Sequence, residues 1–269
     1  SKPSLTTNDS AVLQALFDAE SSPSPSSSHV QTDASLPPLP NVPISLLPSL
    51  QARELAAIKP LNPRTPENEN ENSIGRPDIK DIKSAIQELS ALISETPAFA
   101  SAYVNRAQAY RLLIDSSTSP STSTPSSSEQ EPAEAATHCT SLLLDDLARA
   151  IALLTPAHPT AAVSPLTARI LANAHTHRAY LLYRASRAKQ AVSDSDPDAQ
   201  QTSLSVSILP SHLRSLSSDA LEEMASYDFA LGGRYGNPVA KELAVRTNPY
   251  AKMCGAIVRD AMRAEIEEW

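Results

Sequence analysis

The sequence has little cysteine, little glycine and few aromatics, and no long apolar run. Cys139 and Cys254 are the only cysteines in 269 residues, and neither sits in a CxxC or Cys/His ligand spacing. That excludes a disulfide framework and a zinc site and suits a reducing compartment. Five glycines are too few for a turn-rich β fold, so an all-α class is expected. With 41% hydrophobic and 4% aromatic residues, the chain cannot fill a core in proportion to its length, so part of it is expected to lie outside that core. No stretch approaches the ~20 apolar residues of a membrane span, and the opening "SKPSLTTND" lacks a signal-peptide apolar region. The expected location is the cytosol or the nucleus. A Gly-rich phosphate loop is also missing, so no nucleotide cofactor is expected.

What the chain does have is proline, serine and acid. The 23 prolines exclude regular structure wherever they cluster. A net charge of −8 repels phosphate backbones and anionic lipid, which argues against nucleic-acid and membrane partners. Between the Pro/Ser clusters, helical periodicity is predicted over residues 44–58, 78–95, 99–114, 133–154, 165–188 and 217–233. In the last of these Ser217 or Ser218 caps the start, and Gly232 with Gly233 is expected to stop it. Two further starts, "GNPVAKELAVR" and "TNPYAKMCGAIVRDAMRAEIEEW", each place an Asn cap before a Pro whose missing N–H is not needed there. The predicted plan has a docking helix in residues 1–20 and a disordered Ser/Pro-rich linker in 21–43. Three helical hairpins follow over 44–236, with disordered insertions near 60–77, 115–132 and 193–217, and capping helices close the chain over 237–269.

The hairpin prediction rests on spacing. In "SAYVNRAQAY", Tyr103, Ala107 and Tyr110 share one helical face, and the alanine leaves a dent into which a second helix settles. The two-helix repeat of about 34 residues places W-x2-L-G-x2-Y on its first helix and A-x3-F, then a proline, on its second. Tyr103, Arg106, Ala107 and Tyr110 fill the first template, and His175, Arg178, Ala179 and Leu182 repeat it more weakly. Ala85, Leu89, Leu92 and Pro97, then Leu143, Leu147 and Ala150, then Ala225 and Phe229, fill the second. The predicted architecture is a tetratricopeptide-like α-α superhelix of about three hairpins. A generic helical bundle is the alternative, since Ala/Leu periodicity is common to any amphipathic helix.

"NDSAVLQALF", "SAYVNRAQAY" with "DLARAI", and "NPYAKMC" together resemble the tetratricopeptide repeat protein 36 family. The resemblance covers both termini and all three hairpins but none of the Ser/Pro-rich insertions. It implies a three-repeat adaptor without catalysis, linked to heat-shock chaperones of the seventy-kilodalton class and to enzymes of tyrosine breakdown.

In stacked hairpins the first helices line a concave groove. Helical spacing puts Arg169, Asn173, His177, Tyr180 and Arg184 on one stripe, and Ser101, Asn105, Gln108 and Leu112 on another, with Arg111 beside it. The peptide-groove candidates are Asn105, Gln108, Arg111, Arg169, Asn173, His177, Tyr180 and Arg184. No acid occurs between Asp146 and Asp194, while six Lys or Arg residues fall there. Guanidinium groups in such an island suit carboxylates, so an acidic or extended peptide is the predicted ligand; an ordinary solvated face is the plain alternative. Repeats that grip a chaperone tail keep an Asn where Asn105 stands, but Asn173 and His177 occupy slots where those proteins use Lys or Arg. His175 and His177, two apart, point away from each other and cannot share a metal. His138 beside Cys139 has no third partner for nucleophilic catalysis. The expected function is a non-enzymatic adaptor for a chaperone tail or a client enzyme, with no cofactor, metal or small-molecule substrate. A structural subunit that docks through its terminal helices is the rival reading.

Overall fold

The computed structural model describes residues 30–62, 77–117, 130–193 and 206–249, with Met253, Cys254, Ile257, Val258, Met262 and Arg263. The expected docking helix of residues 1–20 lies outside them, as do the centres of the three expected insertions.

The fold is all-α. Among the described residues, pairing between extended segments is confined to one isolated bridge, Thr32 with Val163. The helices are α1 (Leu47–Ile58), α2 (Ile79–Glu95), α3 (Ala100–Ser117), α4 (Gln130–Leu154), α5 (Pro165–Ser193), the short α6 (Ser211–Arg214), α7 (Ser218–Arg234) and α8 (Pro238–Thr247). Local chemistry sets several starts. The side chains of Asp78, Ser217 and Asn237 accept from Lys80, Ala220 and Ala240 N–H at 3.0–3.1 Å, filling donors that a helix end leaves open. Ser164 Oγ likewise accepts from Thr167 N–H at the head of α5.

Helices pack on their neighbours in chain order, most extensively α5 with α7 and α3 with α4, and α8 covers α7. The alanine dents work as the spacing predicts. Ala107 is fully buried among Ala174, Leu143 and Leu147, so α3, α4 and α5 meet there. Ala179 is fully buried among Leu221, Ala225 and Phe229 of α7 and Ala240 of α8. The first helices α3 and α5 also touch directly.

Several expectations need correction. The linker expected over 21–43 is, in its described part, a packed strap. Val30 N–H donates to Arg234 O, Asp33 N–H to Val163 O, and Val163 N–H to Gln31 O. Leu39 and Val42 then enter the core beside Leu47, Leu89 and Phe99, and Pro38 O accepts from Ser164 Oγ at 2.6 Å and Thr167 Oγ1 at 3.1 Å. Proline suits such a strap, because its carbonyl groups can be used while no ladder donor is needed. Residues 206–217 belong to structure as well: Leu209 and Leu213 are buried against α5 and α7, and α6 lies within this stretch. Gly232 and Gly233 do not stop α7, which runs on to Arg234. They are contact points instead. A Cβ at 232 would come 2.6 Å from Thr176 Oγ1, and one at 233 would come 2.8 Å from Lys241 Cα. The stop comes at Gly236, whose φ of +105° favours glycine. Of the expected capping helices, α8 does cover α7, but Met253, Cys254, Ile257, Val258 and Met262 are all exposed.

Candidate functional site

Two buried ion pairs hold the hairpins that carry the site. In the α3–α4 pair, Arg106 Nε and Nη2 donate to the two oxygens of Asp146 at 2.8 and 2.6 Å, and Nη1 reaches Ser90. In the α5–α7 pair, Arg178 makes the same fork to Asp228 at 2.7 and 2.8 Å, and His175 Nδ1 sits 2.8 Å from Asp228. The Arg-Ala pairs Arg106-Ala107 and Arg178-Ala179 thus answer two later Asp residues, in "DLA" and "DFA". That second half of the pattern was legible in the sequence but not used. His175 also stacks on Tyr235 at 6.0 Å, so it is a packing residue, as its place opposite His177 predicted.

The face of α5 opposite His175 lines a cleft of about 480 Å³. Asn173, Thr176, His177 and Tyr180 come from α5 at helical spacing, and Val104, Asn105, Gln108 and Arg111 from α3. Phe229 of α7 forms part of the wall, and Asn237, Val239 and Leu243 close the third side from α8 and its cap. Six predicted groove residues therefore converge: Asn105, Gln108, Arg111, Asn173, His177 and Tyr180. Arg169 and Arg184 do not line this cleft. Arg169 lies in the field of Glu54, and Arg184 is 4.0 Å from Asp115. The expected island of unpaired cations is partly engaged within the chain: Arg178 is held by Asp228, and Lys189 Nζ donates to the carbonyl oxygens of Arg214 and Leu216.

Sequence reasoning missed the α8 wall, because nothing local in "NPVAKELAV" says which helix it will face. It also missed Glu54. This acid stands at a buried position of α1, in phase with Leu47, Leu50 and Ala57. An acid in an apolar phase was the available signal. Its carboxylate accepts from Asn105 Nδ2 at 2.7 Å, and burial pushes its pKa up, against the lowering effect of Ser101, Asn105 and Arg169. The end of the groove beside Asn105 is thus already occupied by a carboxylate of the chain itself.

At the other end the polar atoms lack partners. Arg111 Nε and His177 Nε2 are buried without a hydrogen bond among the described residues, and Arg111 joins none of the ion pairs they form. Burial, and then the Arg111 charge, push the His177 pKa down to about 4, so the imidazole is neutral near pH 7.

No family model matches the sequence, and no solved structure matches it. The L-tyrosine degradation gene cluster protein hmgX of Aspergillus fumigatus is 48% identical over 277 residues, covering 99% of this chain and 95% of its own length. The chain belongs to the hmgX family. In this hmgX-family chain the described residues bring no three His, Cys, Asp or Glu side chains into a metal-holding group. None of their helices is long and apolar enough to cross a membrane. Burial pushes the Cys139 thiol up, away from the reactive thiolate.

Proposed function

We propose that the chain is a non-enzymatic adaptor of tyrosine degradation that holds an extended segment of a partner protein in the cleft between α3, α5 and α8. One observation carries this reading: residues chosen by helical spacing on two separate helices, Asn105, Gln108 and Arg111 with Asn173, His177 and Tyr180, line one open cleft and leave buried polar atoms unpartnered. Side-chain amides offer both donors and acceptors, which is what an extended backbone needs. The nested alanine dents and the pairing in chain order support a tetratricopeptide-like stack, and with it the likeness to the tetratricopeptide repeat protein 36 family. The relative's place in a tyrosine degradation gene cluster favours an enzyme of that route as partner. A chaperone tail fits less well, because Asn105 is engaged by Glu54 and the residues at 173 and 177 carry no positive charge at pH 7.

The test is complementation in Aspergillus fumigatus lacking hmgX, grown on tyrosine as sole carbon source. The unaltered chain is expected to restore growth, and Asn173→Arg with Tyr180→Ala is expected to abolish it at unchanged protein level. Both residues are exposed, so the fold should survive. Full rescue by the double variant overturns the cleft as partner surface. The purified chain is expected to consume neither tyrosine nor its breakdown products.

A second reading is favoured by the last described residues. Met253, Ile257, Val258 and Met262 are each more than half exposed at helical spacing, which suits a terminal helix docked into an assembly. Deleting residues 250–269 separates the two. Loss of rescue by this deletion alone, with the cleft variant active, selects the docking subunit.

A further inference from the structure

We infer that the cleft contains a single-carboxylate subsite, formed by Arg111 and His177, that takes an acidic side chain or the terminal carboxylate of the bound segment. This rests on the cleft being the partner surface and adds the chemistry read there.

Arg111 Nε–H is a buried donor with no acceptor, and His177 Nε2 beside it is a buried ring nitrogen with no partner. Native interiors seldom leave such groups unpaired, because a buried donor or acceptor without a partner forfeits its hydration for nothing. Both line the same cleft, on α3 and α5 respectively. A carboxylate brings two acceptor oxygens, one for the guanidinium and one for an Nε2–H tautomer of the imidazole. Its single charge balances the single Arg111 charge. A phosphate dianion would leave one charge uncompensated in a partly desolvated place, because His177 is neutral there.

The rest of the cleft fits a peptide around that group. Gln108 and Asn173 flank it along the two helix rows, while Tyr180, Val239 and Leu243 form an apolar edge. Asn105 is partly spent on Glu54, and Asn237 Oδ1 on Ala240 N–H. Glu54 also explains why the carboxylate is not read beside Asn105 and Arg169, where it already stands. The segment expected is one acidic group with apolar neighbours.

The test reads the two orphan nitrogens directly in the full chain. The ¹⁵N resonances of Arg111 Nε–H and His177 Nε2 are followed while four small probes are added at constant ionic strength. The probes are N-acetylglutamate α-amide, N-acetylglycine, N-acetylglutamine α-amide and N-acetyl-O-phosphoserine α-amide. Saturable shifts with a carboxylate probe, at least about 10-fold tighter than with the glutamine probe, are expected. The order of the first two probes then assigns the source as side chain or chain terminus. Arg111→Gln should erase the His177 response, and Arg149→Gln, on the exposed face of α4, should not. If Arg111→Gln unfolds, His177→Gln serves, with Arg111 Nε–H as the readout. A glutamine probe that binds as tightly as the better of the two carboxylate probes, or no response to any probe, means the nitrogens are served by water and overturns the inference. Tighter binding of the phosphoserine probe overturns the carboxylate assignment. Either result leaves the adaptor reading to the growth experiment, whose outcome does not depend on which group is read.

Discussion

Buried charge is unevenly paired in this molecule, and single residues show the consequences. Burial pushes the Asp146 carboxyl up, and the Arg106 fork brings it only part of the way back. Burial would raise Asp228 too, but hydrogen bonds from His175 and Arg178 together outweigh it and hold that carboxyl below its ordinary value. Asp228→Ala therefore strands two side chains, His175 and Arg178, where Asp146→Ala strands one, Arg106. Denaturant unfolding at pH 7 is expected to find Asp228→Ala down by about 3–5 kcal/mol and Asp146→Ala by less.

His177 carries a pH signature with a definite sign. Its pKa falls from an ordinary 6.5 to about 4 on folding, so the unfolded chain binds more protons between those values. The stability it preserves is full above pH 6.5 and is lost as pH falls toward 4, by roughly 3 kcal/mol in all. His177→Gln should flatten the stability profile in that window, measured as denaturation midpoints at several pH values; an unchanged slope would show that the imidazole is hydrated. Glu54 has the opposite sign. Its raised pKa means that stability is lost as pH rises through the raised value. Glu54→Gln keeps an acceptor for Asn105 and should match or exceed the parent at pH 8. Glu54→Ala, which removes that acceptor, should fall below it by about 1–3 kcal/mol.

At the scale of elements, start signals were readable because they are local. Asp78, Ser217 and Asn237 cap their own helices through atoms two or three residues away. Glycine was misread because its role depends on distant neighbours. Gly→Ala inside a helix ordinarily gains up to ~1 kcal/mol of propensity. At 233 the added carbon would meet backbone of Lys241, which cannot rotate away. Gly233→Ala is thus expected to destabilise by about 1–3 kcal/mol despite the propensity gain, with α8 the first element to lose amide-exchange protection. A gain in stability would show that α7 and α8 separate at no cost. The strap was misread for a related reason. "DASLPPLPNVP" has the composition of a linker, yet its carbonyl at Pro38 meets hydroxyls 126 and 129 residues away.

For the whole molecule, the strap changes how the repeats should behave. Stacked hairpins usually contact only their neighbours, so their cooperativity is limited. Here residues 30–42 run from Arg234 at the end of α7, past Val163 before α5, to the core under α1 and α2. Early and late helices are tied by one segment. The parent is expected to unfold in one calorimetric transition, and Leu39→Ala, at a position only 1% exposed, should cost about 2–5 kcal/mol and split that transition in two. A single, merely shifted transition would mean that the helices couple without the strap.

Periodicity and composition by themselves determined the helical class, the order of the helices, the alanine dents and most of the groove row, because each depends on residues three or four apart on one helix. Only the tertiary structure decided that α8 closes the cleft, that Glu54 fills one end of it, that Asp228 takes Arg178 out of the expected basic island, and that a proline-rich strap is core. Those features are set by what arrives from elsewhere in the chain. Burial and charge pairing are properties of the meeting of two surfaces, and neither surface encodes its partner alone.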